Sequence, residues 1–247
     1  MPEGSDPALT GGPVATVAEV IERLSAIKAA TGLEGPERRS GIYWFSHLYL
    51  VITENVRGKI DGGRFFADNR YLTALDVAFA NRYFDAVRAL TKGERPPEVW
   101  RLLFAVPEDG EVLPVQLAMA GVNAHINLDL AVAVVNACRA LGRQDIDGGD
   151  QRADYDKVND IFAEEMNGLL EKLARGYAAP TQVQLARLSL LERLAGEIVV
   201  LARRMAWLNA EYLWTVGPES DLGRARIEEM DAAAALLSRA MLVDLPG

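Results

Sequence analysis

His125 and Asp129 stand four residues apart in Gly121-Val122-Asn123-Ala124-His125-Ile126-Asn127-Leu128-Asp129-Leu130, inside an otherwise apolar segment. On a helix this spacing lets an imidazole and a carboxylate hydrogen-bond one another or share one metal ion. The imidazole can then act as general base, general acid or ligand, and the carboxylate can orient it or be a second ligand. Both groups are costly in an apolar helix unless each finds a partner. Their presence therefore marks either a site or a polar network that fixes packing.

Other residues could join them. Asp76 sits among Leu75, Val77, Ala78 and Phe79, and a buried carboxyl must be paired or protonated. It is the off-helix candidate to meet His125; the alternative is that it caps a loop or bonds Tyr83, seven residues on. Asn123 and Asn127 are candidates to hydrogen-bond a substrate oxygen. Tyr49 lies near Tyr43, Trp44, His47 and Glu54, which read as the aromatic lining of a pocket or simply as core. Asp68 reads as a helix-start residue, and the run 154–156 as acids capping another helix.

The elements that must position these groups read as helices throughout. Apolar residues recur at helical spacing over about 14–30, 41–57, 66–90, 97–104, 114–142, 155–175, 181–214 and 222–242, and strand alternation is nowhere sustained. Glycines and prolines punctuate the segments, and 142–152 is a polar loop. The expected fold is all-α: one domain over 14–247, with seven or eight helices around a central buried helix at about 113–141. On that helix His125, Asp129 and Asn136 fall within roughly 40° of one another. Gln116, Asn123 and Asn127 form a second seam on the opposite side. One seam could hold a ligand while the other is structural.

Composition narrows the function classes. The 247-residue chain is 50 % hydrophobic and has a formal net charge of −9. It holds no basic block that could neutralise phosphates, which argues against nucleic acid and against a polybasic membrane anchor. The apolar stretch around 115–135 is interrupted by His125, Asp129 and three asparagines, a poor membrane span. Residues 1–13 are polar, are expected to be flexible, and lack the basic start and apolar core of a signal peptide. Cys138 is the sole cysteine and reads as a buried, inert thiol. The expected setting is cytoplasmic, and a homo-oligomer stays open. No phosphate-binding glycine loop, GxSxG elbow or HExxH occurs, and two histidines cannot build a di-iron bundle site.

The block from Ala120 to Leu130 resembles the AG-[MV]-NAHIN-x-DL signature of a bacterial family of unknown function. Phe45, Leu48-Tyr49-Leu50, Thr53, Phe66-Ala67-Asp68, Leu75-Asp76, Phe79-Ala80-Asn81, Asp154-Tyr155-Asp156, Val158-Asn159 and Ala206-Trp207 fit the same pattern, over about 40–215. Two positions depart from it: Ser40 stands where members carry Asp, and His47 is atypical. The resemblance supports 123–129 as a site and implies no activity, substrate or cofactor.

Two function classes follow. In the first, a small, largely apolar molecule enters a buried polar pocket centred on His125 and Asp129. His125 is general base or acid, Asp129 or Asp76 orients it, and Asn123, Asn127, Tyr49 and Tyr83 contact substrate. A metal-dependent hydrolase is its variant, with His125, Asp129 and Asp76 around a bound water. The sequence requires no cofactor, and a divalent metal at His125 and Asp129 would be a thin ligand set. In the second class the chain is a non-catalytic binding or scaffold protein whose polar seams fix helix register.

Overall fold

Short polar side chains placed just ahead of the apolar runs start the helices. Thr16 and Glu19 form a reciprocal cap on α2 (Val17–Thr31). Ser40 accepts from Tyr43 N at the start of α3 (Gly41–Asp61). Ser and Asp serve equally as such caps, which accounts for Ser40 at a position where Asp is expected. Asp68 caps α4 (Asn69–Thr91) through Tyr71 N at 3.0 Å, as its helix-start reading anticipates. α5 (Glu98–Phe104) begins at prolines and has no cap of its own. Asp231, on the distant α10 (Asp221–Met241), accepts from Glu98 N at 2.7 Å and Val99 N at 2.9 Å instead.

The computed structural model describes residues 6–32, 40–107, 112–162 and 182–243, with 182–196 described by backbone alone. Among the described residues every regular element is a helix, so the all-α class holds. Helix α1 (Pro7–Thr10) is a single turn capped by Asp6, with Leu9 buried. Within 1–13, expected to be flexible, this part is docked on the bundle, and Thr91 Oγ1 donates to Leu9 O at 3.1 Å. Two helix starts shift for a visible reason. Val14 is held outside α2 by a two-way pairing with the Asn81 side chain. Residues 66–68 stay outside α4, where Ala67 N and Asp68 N donate to Asp154.

The central element is a continuous rod: α6 (Pro114–Ala124), a π-helical turn (His125–Asp129) and α7 (Leu130–Ala140). The expectation of one uninterrupted α-helix is corrected here, because the π turn inserts a wider loop of backbone at the polar residues. By length and composition 114–140 could cross a membrane, but 89 % of its most apolar window is buried inside the bundle. Helices α3, α4, α10 and the helix Gln182–Val216 (α9) surround the rod, with α5 against α6. Helix α8 spans 151–162, so it starts earlier than expected, and the rest of its predicted length lies outside the described residues. One core cluster extends from Leu9 to Ala235.

Gly121 lets α3 approach the rod. A Cβ there would lie 2.4–2.6 Å from carbons of Phe45. Phe45 is itself buried against Tyr49, Tyr83 and Trp100 and has no room to retreat. Gly121→Ala is therefore expected to cost about 1–3 kcal/mol, read as a lower urea midpoint at unchanged slope.

Candidate functional site

The π turn places His125 and Asp129 so that they bond one another. His125 Nδ1 lies 3.1 Å from Asp129 Oδ2, and both residues are buried. The same oxygen accepts from Trp100 Nε1 at 3.0 Å, and Oδ1 faces Arg82 Nε at 3.5 Å. A carboxylate can only accept, so the proton of the imidazole sits on Nδ1 and leaves a lone pair on Nε2. Aromatic rings hold the imidazole in place. Phe79 stacks on its face at 3.4 Å and 9°, while Tyr49 and Phe45 meet it edge-on at 4.6 and 5.4 Å. Burial lowers the imidazole pKa below its ordinary value; Asp129 opposes this and Arg82 adds to it. The ring is thus a neutral base at pH 7.

His125 Nε2 has no hydrogen-bond partner, and neither do three other buried oxygens: Tyr49 Oη, Thr53 Oγ1 and Asp76 Oδ2. All four residues line one cavity of about 60 Å³. Its walls come from α3 (Phe45, Leu48, Tyr49, Ile52, Thr53, Val56), α4 (Leu72, Leu75, Asp76, Phe79) and the rod (Val122, His125, Ile126, Leu130). Val158 and Phe162 of α8 and Arg203 of α9 complete it. Apart from those four groups and the Arg203 guanidinium, the lining is hydrocarbon and aromatic ring. Buried polar atoms are normally satisfied, so four orphans around one space stand out. Burial raises the Asp76 carboxyl to about 7 and the Tyr49 phenol well above its ordinary value. Near neutral pH the site therefore pairs a basic nitrogen with a carboxyl able to hold a proton.

The remaining sequence-derived candidates are elsewhere. Tyr83 Oη shares a hydrogen bond with Ser46 Oγ at 2.8 Å and does not line the cavity. Asn123 Nδ2 donates to Ala234 O and Ser238 Oγ, and Asn127 Nδ2 to Asn123 Oδ1. Asn123 and Gln116, which donates to Met241 O and Val243 O, tie the α10 end of the chain to the rod. The amide groups of Asn123 and Asn127 and the hydroxyl of Tyr83, read from the sequence as substrate contacts, make these bonds within the bundle. Asp154 does not cap its own helix. It is buried, which would raise its carboxyl, but Ala67 N, Asp68 N and Lys157 hold it below the usual range. His47 lies off the cavity, 3.5 Å from Lys28 Nζ.

The metal variant is not assembled. Asp129 takes Nδ1 of His125 as a donor and faces a guanidinium, so the two residues do not offer lone pairs to one ion. Among the described residues no group of three His, Cys, Asp or Glu side chains could hold a metal.

Sequence reasoning missed Trp100 and Arg82 as the other partners of Asp129, and Thr53 in the cavity. Thr53 carried a usable signal, one turn beyond Tyr49 on the same face of α3. Arg82 carried none, because a charge between Asn81 and Tyr83 reads as a solvated position. Cys138 is buried and its thiol is raised to about 11 by that burial, in keeping with an inert role.

A family model described as a family of unknown function (DUF5995) matches residues 17–244, nearly the whole chain. The chain belongs to that family. No curated protein and no solved structure matches it significantly.

Proposed function

For this member of a family that brings no activity with it, we propose that the cavity binds a small, largely apolar molecule. His125 Nε2 and Asp76 bind its polar group and are placed to move a proton on it. The observation that carries this reading is that four residues whose buried polar atoms lack a partner line one apolar space. The Asn123–Asn127 seam, by contrast, bonds its amide N–H groups to α10 and to one another.

Size sets the ligand class. A volume of about 60 Å³ takes roughly four water-sized spheres and is well below the ~150 Å³ of an engineered cavity that holds benzene. The ligand is thus a molecule of a few heavy atoms with one polar end. In this reading Asp129 is a positioning residue: it holds the proton on Nδ1 so that Nε2 is the base. Asp76, protonated near neutrality, is the acid.

The test is ¹⁵N NMR of histidine-labelled protein titrated with short-chain acids, amides, alcohols and ketones. One of these classes is expected to shift the His125 Nε2 resonance saturably and to raise the melting temperature. His125→Gln and Asp76→Asn are expected to abolish the thermal effect while leaving the helical circular dichroism intact. If Nε2 responds to none of these classes, the cavity is not a site for such molecules and the reading fails.

A further inference from the structure

The outer face of α9 carries Ile198, Leu201, Met205, Leu208 and Tyr212, each between 41 and 61 % exposed. Their spacing is 3, 4, 3 and 4 residues, an average of 3.5, which is the a/d repeat of a coiled-coil seam. The inner face of the same helix is separately occupied: Val199, Arg203, Ala206, Trp207, Ala210 and Leu213 are buried in the bundle. A surface helix with one partner ordinarily shows polar residues on its far side. Over its described side chains α9 has two apolar faces here, and the described core uses one of them.

We propose that this seam is the contact between two copies of the chain, joined as an antiparallel helix pair about a two-fold axis. A two-fold contact must be self-complementary, and this stripe is. With the axis between Met205 and Leu208, Met205 of each copy packs beside Leu208 of the other, and Leu201 beside Tyr212. The flanking charges select this arrangement. Antiparallel pairing sets Arg204 of one copy opposite Glu211 of the other, and does so twice. Parallel pairing would set Arg204 opposite Asn209 and Glu197 opposite Ala202, with no charge pair. Arg204 is exposed, and Glu211 is half-buried, its carboxylate accepting from Trp207 Nε1 at 2.7 Å.

The test is sedimentation equilibrium of the full chain. The wild type is expected to be a dimer, and Leu201→Glu with Leu208→Glu a monomer whose circular dichroism and melting temperature match those of the wild type diluted to monomer. Arg204→Glu alone and Glu211→Arg alone each replace both attractive pairs by repulsive ones and are expected to weaken dimerisation about tenfold or more. The two together are expected to restore it. Three results would overturn the proposal. The wild type could stay monomeric at the highest soluble concentration. A dimer could survive the Leu201 and Leu208 substitutions. A monomer could lose stability through those substitutions, which would mean that the chain covers this face itself.

Discussion

Asp76→Asn is expected to stabilise the protein at pH 8 by about 1–3 kcal/mol, with the gain vanishing as pH falls toward 4. Asp76 Oδ2 is sealed and unpaired, and burial raises the carboxyl from 3.8 to about 7. A raised carboxyl means that the folded chain binds a proton where the unfolded chain has released it. Below the unfolded value both states are protonated and Asp76 carries no penalty. As pH rises from about 4 through 7 the unfolded state ionises freely while the folded state resists, and stability is lost. Asparagine does not titrate, so the difference between variant and wild type opens over that window and levels off above it. His125 is common to both proteins and cancels from the comparison. Its lowered pKa makes both lose stability as pH falls below the unfolded value of 6.5. Urea midpoints at pH 4, 6 and 8 measure the effect, and a difference that does not change with pH would refute it. The same substitution is expected to abolish probe binding at the cavity. Stability gained together with binding lost is the mark of a group kept for function against its cost to the fold.

Removing the Asp129 carboxylate is the most damaging single change anticipated. Asp129→Ala strands the buried Trp100 Nε1 and His125 Nδ1 and leaves the half-buried Arg82 without its counter-charge. Breaking such a buried pair costs about 3–5 kcal/mol. A denaturant series on the variant reads this directly, and a loss below 1 kcal/mol would show that the network is slack. Asp129→Asn is the informative companion. Its amide oxygen, in the place of Oδ2, can still accept from both Trp100 Nε1 and His125 Nδ1, while its amide N–H, in the place of Oδ1, meets the Arg82 guanidinium donor to donor. The cost is expected to fall to about 1–2 kcal/mol. The ring is expected to keep its proton on Nδ1, which histidine ¹⁵N shifts read directly. In the proposed reading this variant folds and keeps its base.

Much of this arrangement is local and can be read from one strand of text. Helical periodicity, the caps at Thr16, Ser40 and Asp68, and the i,i+4 relation of His125 and Asp129 depend only on residues within a turn or two of each other. Sequence alone therefore determined an all-α chain with a long apolar central helix carrying polar residues on two sides. It also singled out Asp76 as a carboxyl in apolar company, because that too is a statement about neighbours. What the tertiary structure decided is which polar residues are spent and which are left over. Asn123 and Asn127 look no less functional than His125 in the text, yet α10 accepts from Asn123, and Asn127 donates to Asn123. The π turn was not legible either, since a 3.6-residue repeat extrapolates straight through it. Trp100 and Arg82 reach Asp129 from other helices, at separations no spacing rule covers. The reason is physical: a side chain's face on its own helix follows from local geometry. Whether that face meets a partner or a cavity depends on surfaces contributed by residues tens of positions away.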